Sequence, residues 1–170
     1  MWVSILFLIM SCNSLDSSNV ELKSVSDFNE NRIGNPQIVI SRENIPLVKA
    51  TSEILVKNEK SNAILKGLVK ADFFDEDGIH ISQLTSDSAF IDQKTNNLHA
   101  YGNVKVISDD SVKLFSNSIL WDNHYKLITS NDSVMFTSSN NDTMYGVGFE
   151  SDMDLTQWKI KKPRGSKGGK

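Results

Sequence analysis

From Gln37 onward, apolar and polar side chains alternate in short runs rich in Val, Ile, Leu, Phe and Thr. Turn formers interrupt the runs about every ten residues, at Asp77-Gly78, Asn96-Asn97, Asp109-Asp110-Ser111, Asn131-Asp132 and Asn140-Asn141-Asp142. Alternation of period 2 bounded by such residues is the mark of half-buried strands, because successive side chains of a strand point to opposite faces. The pattern predicts strands at 37–41, 47–57, 63–74, 79–92, 98–107, 112–121, 125–130, 134–138 and 144–150. No window carries a sustained apolar stripe of period 3.6, so the expected domain is an all-β sandwich or jelly roll. Upstream the texture differs. Residues 2–10 are apolar except for Ser4, and residues 13–36 are rich in Ser, Asn, Asp and Glu with neither period sustained. The chain therefore divides into a leader at 1–11, a tether at 12–36, a β domain at 37–158 and a tail at 159–170.

A repeat lies within the β domain. Ser88-Ala89-Phe90-Ile91-Asp92, then Leu98 and Ala100, then Val104, align with Ser118-Ile119-Leu120-Trp121-Asp122, then Leu127 and Thr129, then Val134, at an offset of 30 residues that drops to 29 across one loop. Each unit is a strand, a turn and a strand. Such a unit cannot bury its apolar face alone, so neighbours must stack.

Composition narrows the function. The chain has 170 residues, 39% of them apolar, enough for one domain. With 18 Lys and Arg against 21 Asp and Glu, it lacks the broad basic surface that nucleic-acid binding requires. His80, His99 and His124 are isolated, without metal-ligand spacing. The acidic run Asp72, Asp75, Glu76, Asp77 before Gly78 does not complete a calcium loop and reads as a solvated turn. Gly146 and Gly148 have no helix after them to form a phosphate cradle, and no nucleophile elbow is present. The expectation is a protein that is not an enzyme and needs no cofactor or metal. A pair of carboxylates facing one cleft, as in a glycoside hydrolase, is a spatial property that sequence leaves open.

The two ends carry separate signals. The apolar run 2–10 spans roughly 14 Å as a helix, about half a bilayer core. It ends in Leu8-Ile9-Met10-Ser11-Cys12, which resembles the lipobox of bacterial lipoproteins, where the cysteine is acylated and becomes the new N-terminus. Cys12 is the sole cysteine, so no intramolecular disulfide forms. Two or three acyl chains, each burying CH2 groups at roughly 0.8 kcal/mol, would hold the protein on a membrane. The positively charged segment expected ahead of an export signal is missing, so the anchor is either lipidated Cys12 or a helix encoded further upstream. At the other end, residues 159–170 hold six of the 18 basic residues and no acid. Such a tail is expected to be a solvated end, or to contact anionic head groups or the acidic body.

Leu84, Ser86, Ala89, Ile91-Asp92, Leu98, Ala100-Tyr101-Gly102-Asn103-Val104, Ser118, Leu120-Trp121-Asp122, Ile128, Ser130, Val134 and the closing Gly146-Val147-Gly148-Phe149-Glu150-Ser151-Asp152 together resemble the LptC family, over residues 45 to 160. LptC is the periplasmic component of the lipopolysaccharide export transporter. The resemblance implies a twisted, incompletely closed β-jelly roll of stacked antiparallel strands. It also implies a lipopolysaccharide ligand held by its lipid A acyl chains, an inner-membrane ABC transporter that supplies lipid and energy, and an LptA-like bridge protein that receives the lipid. The protein would then face the periplasm, anchored most naturally in the inner membrane. Members of the family begin with a transmembrane helix, from which the short run here departs.

Under that reading an open sandwich lines its interior with aliphatic side chains. The expected lining is Leu98, Ala100, Val104 and Val106 on one strand, with Ile119 and Trp121 or, in the opposite phase, Leu114 and Leu120 on the next. Met144, Tyr145, Gly146, Val147, Gly148 and Phe149 are expected to form a docking edge for the bridge protein, and the first strands, 37–56, to meet the transporter. A structural β lipoprotein that binds only proteins, and a carbohydrate-active β-sandwich, are the alternatives.

Overall fold

The computed structural model describes residues 31–57 and 63–168. Its elements are β1 (Asn31–Gly34), β2 (Gln37–Arg42), β3 (Ile45–Thr51), β4 (Ile54–Lys57), β5 (Ala63–Phe74), β6 (His80–Ile91), β7 (Leu98–Ser108), β8 (Lys113–Asp122), β9 (Leu127–Thr137), β10 (Thr143–Asp152) and β11 (Trp158–Lys167). All pairings are antiparallel, in the order β1-β4-β5-β6-β7-β8-β9-β10-β11, with the β2–β3 hairpin joined to β5 through β3. The two ends of this order do not pair with each other, so the sheet stays open, as the jelly-roll reading requires.

The turns follow from the repeat. Asp92, Asp122 and Asp152 stand 30 residues apart, and each carboxylate accepts backbone N–H groups from the turn it opens: Lys94 and Thr95, His124 and Tyr125, Thr156 and Gln157. Aspartate side chains favour such turns because they satisfy donors that the ladder leaves behind. Burial also corrects the alignment. Leu98, Ala100, Val104 and Val106 match Ile128, Ser130, Val134 and Phe136, all buried, so the offset is 30 throughout.

A row of ladder irregularities crosses the middle of the long strands, at Lys66/Val69 on β5, Thr85/Ser88 on β6, Tyr101/Val104 on β7, Ser116/Leu120 on β8 and Val147/Phe149 on β10. Bulges bend a strand and increase its twist. Gly67 and Gly102 occupy positive φ at 73° and 76° within this row. Bending at the row brings the two ends of the strands face to face: Phe73, near the end of β5, and Trp121, near the end of β8 on the other side of the row, have ring centroids 5.6 Å apart. Ser82 donates its hydroxyl to the Met153 carbonyl at 2.6 Å across the same interior. The result is a sheet folded along a spine into two half-sheets around one core.

Three expectations about elements change. The single strand expected at 47–57 is two, because the chain crosses between half-sheets at Ser52-Glu53; β3 pairs with β5 beyond the spine and β4 before it. The strands expected at 125–130 and 134–138 are one bulged strand, β9. The tail expected to be solvated contains β11, held on β10 by Trp158, whose ring lies 4.5 Å from that of Phe136, and by Ile160 packed on the core.

Candidate functional site

The fold leaves two kinds of opening into its interior. At the first rim, β2 belongs to one half-sheet and β1–β4 to the other, and among the described residues neither β1 nor β2 has a strand partner on its outer side. Between them lies a cavity of about 490 Å³ lined by Ile38, Ile40, Leu55, Ala63 and Ile91, with Lys57, Gln93 and Asn96 at its lip. That volume falls in the roughly 300–1,000 Å³ range of small-molecule pockets. The walls are the outermost part of the core itself: Ile40, Leu55, Ala63 and Ile91 are continuous with the buried cluster.

Opposite the spine, where the turns of the two half-sheets meet, runs a seam. A smaller cavity there, about 220 Å³, has Leu47, Phe74, Ile81 and Met153 below and Asp75, Glu76, Lys126, Asp152 and Asp154 above. Lys126 lies over the Trp121 ring at 5.5 Å. Burial, and then the charge of Arg42, lower its pKa, while Glu76 and Asp122 act in the other sense. Burial pushes Asp154 above the ordinary carboxylate range, and its neighbour Asp152 adds to the rise. Burial also opposes ionisation of Asp152, but hydrogen bonds with Thr156, Asp154, Gln157 and Ser151 outweigh it and hold that carboxyl low. Carboxylates with pKa values pushed apart are what acid–base catalysis uses. Here both accept from Thr156, and Asp152 also accepts the Gln157 N–H, so the pair builds the β10–β11 turn.

Seven of the eight expected lining residues come together. Leu98, Ala100, Val104, Val106, Leu114, Ile119 and Trp121 are buried in the one core. The two phases considered for β8 both point inward, on either side of its bulge, so Leu114 and Trp121 share the interior. Leu120 does not join them. It is half-buried on the outer face, in register between His99 and Thr129.

The strand expected to be a docking edge is not an edge. Met144, Tyr145, Gly146, Val147 and Phe149 are registered with β9 on one side of β10 and with β11 on the other, and Gly148 lies at the register shift toward β9. The strand is interior and the edge is β11, because a basic run that looked like a tail alternates well enough to add one more strand. Cys12 lies outside the described residues.

The histidines have local partners. His80 Nδ1 sits 2.8 Å from Asp109, His99 stacks on Tyr101 and meets Phe90 edge-on, and His124 meets Tyr125 edge-on. Among the described residues no group of three or more His, Cys, Asp or Glu could hold a metal ion. The cavity at the first rim escaped the sequence reading in detail. Ile38 and Ile40 could have been found as an alternating apolar face, but only the fold reveals that they lie opposite Leu55 and Ile91.

The family model for OstA-like protein matches residues 42–156, from the end of β2 to the β10–β11 turn. No curated protein matches the chain.

Proposed function

Because the chain belongs to the OstA-like protein family, we propose that it is a lipopolysaccharide-transport protein of LptC type, which takes lipid from an inner-membrane transporter and passes it along a bridge of similar domains. The observation that carries this reading is the cavity at the first rim, whose apolar walls are continuous with the core and which is flanked by two strands that have no outer partner among the described residues. Each CH2 moved from water into an apolar surrounding gains roughly 0.8 kcal/mol, so acyl chains cross an aqueous compartment only inside such a lining. Ile38, Ile40, Leu55, Ala63 and Ile91 receive the chain ends.

Beyond them the interior is filled, with Phe73, Trp121, Phe136 and Phe149 fully buried. Admitting whole chains therefore requires the half-sheets to part along the seam, where Leu47, Phe74, Ile81 and Met153 provide apolar contact and the charged lip lets a sugar remain in water. The reading includes no catalysis: the driving energy is the transporter's. Lipid analysis of the full chain purified from its native membrane tests it. Co-purifying lipopolysaccharide is the expected result, and a lipid-free protein that also takes up none from vesicles would overturn it.

A further inference from the structure

The seam holds two cavities. One, of about 220 Å³, lies beside Met153; the other, of about 370 Å³, lies beside the β2–β3 hairpin, with Arg42, Glu43, Ile45 and Asp77 around it. Leu47, Glu76 and Lys126 line both, so these three side chains form the wall between them. Leu47 on β3 and Glu76 on the β5–β6 turn belong to one half-sheet, and Lys126 reaches the wall from the other, on the β8–β9 turn. Among the described residues no strand pairing joins those two turns. The wall is a contact between leaves, not part of the ladder.

A lysine is an unexpected residue for such a wall, because lysines are mostly exposed. Lys126 is half-buried. Its ammonium lies 5.5 Å from the centre of the Trp121 ring and donates to Asn123 Oδ1 at 2.9 Å. Asn123 is itself fixed to the β6–β7 turn, its backbone N–H donating to the Asn97 side chain and its side-chain amide to the Thr95 carbonyl. The head group is thus steadied on its own leaf while its charge acts on Glu76 of the other. Burial most strongly disfavours the charged form, Arg42 adds to that, and Glu76 and Asp122 oppose both. Desolvation of an ion offsets much of its attraction to a partner, so a half-buried ammonium beside a like charge is a weak tie. Beneath it the Ser82 hydroxyl holds the Met153 carbonyl, so parting the wall joins the two cavities before the core has to move.

We infer that Lys126 is a gating residue for acyl-chain entry: drawn toward Glu76 it divides the seam, and swung outward it merges the two cavities into one cleft floored by Leu47, Phe74, Ile81 and Met153. This deepens the transport reading and rests on it, because a gate needs something to admit. It also sets a direction that transport alone does not: removing this favourable interaction should speed entry.

The test follows uptake of lipopolysaccharide from phosphatidylethanolamine–phosphatidylglycerol vesicles by the full chain. Lys126→Met, which keeps the length of the stem and removes the ammonium, should take up lipid about tenfold faster. Lys126→Arg should keep the native rate. Added salt should speed the native chain toward the Met variant and leave that variant unchanged. Lys126→Cys/Glu76→Cys should be fast until a short bismaleimide joins its thiols, and slower than native afterwards, with circular dichroism unchanged. Spin labels at Asp77→Cys and His124→Cys, on the two turns, read the gate without lipid and should lie farther apart in the Lys126→Met background. The thiol-bearing variants carry Cys12→Ser so that only the introduced thiols react. Where uptake is measurable, a Met variant no faster than native, or a cross-link that leaves the rate unchanged, would overturn the inference. So would label distances that ignore Lys126. No uptake by any variant, with label distances that still respond to Lys126, would sink the transport reading and leave the seam closure assigned to this lysine.

Discussion

The indole N–H of Trp121 donates to the sulfur of Met153 at 2.9 Å, joining the end of β8 to the β10–β11 turn inside the core. Ser82 reaches the carbonyl of the same methionine from the other half-sheet. Met153 is thus a latch between the two leaves, set directly beneath the seam.

Removing the donor alone loosens the latch slightly. Trp121→Phe should lower stability by about 1 kcal/mol, a fall in Tm of about 2–4 °C. Trp121→Ala, which empties the site, should lose about 3–5 kcal/mol. Denaturant titration followed by circular dichroism checks both, and equal losses for the two variants would show that the ring packs nothing.

The spine makes a sharper demand. A Cβ added at Gly102 would meet the Asp87 carboxylate, and the residue holds φ at 76°. Gly102→Ala should therefore destabilise by about 1–3 kcal/mol. Gly165, with nothing within 4 Å of an added Cβ, should accept Ala within about 0.5 kcal/mol. Adding Asp87→Ala to the Gly102 variant should recover part of the loss, the steric part, and leave the backbone strain.

The turn at Asp152 and Asp154 has opposing pH effects. A depressed carboxyl such as Asp152 stabilises the fold fully above the ordinary aspartate range, and that contribution is lost as pH falls through its folded pKa. The raised carboxyl of Asp154 acts the other way: its ionisation weakens the fold above its folded pKa, and the penalty disappears in acid. At neutral pH, Asp152→Asn should be less stable than the native chain and Asp154→Asn at least as stable. Thermal melts across the acid range decide it, and the reverse order would contradict the assignment.

We propose that acylated Cys12 anchors the chain, so Cys12→Ala should remove acylation and shift the protein from the membrane to the soluble fraction. Unchanged membrane retention would point instead to a helix encoded upstream.

Much of this architecture was legible in the residues. Alternation placed β5, β6, β7, β8 and β10 within a residue or two, and the 30-residue repeat anticipated the turns at Asp92 and Asp122. The bulges were not legible. One inserted residue reverses the inward phase, as between Leu114 and Ile119, and alternation alone cannot distinguish that from a new strand. That reversal is why Leu120 was grouped with the interior, whereas β9 looked like two strands because the turn formers Asn131-Asp132 sit at its irregularity. β11 was missed because its lysines resemble a solvated tail; only the exposed side of β10 and the packing of Trp158 and Ile160 make it a strand. Seven of the eight residues expected to line the interior are buried in the core, but the rim cavity was not foreseen, since Ile40 and Leu55 face each other across a fold that no local pattern encodes.

On the proposed function, acyl chains enter this interior at the first rim. Photo-crosslinking from Ile40 and Leu55, with Tyr125 on the outer surface as the comparison, tests it directly. Lipopolysaccharide joined to the two rim positions and not to Tyr125 is the predicted result. Absence of labelling at Ile40 and Leu55 in a folded, membrane-bound protein that still captures its partner would contradict it and favour a scaffold without lipid.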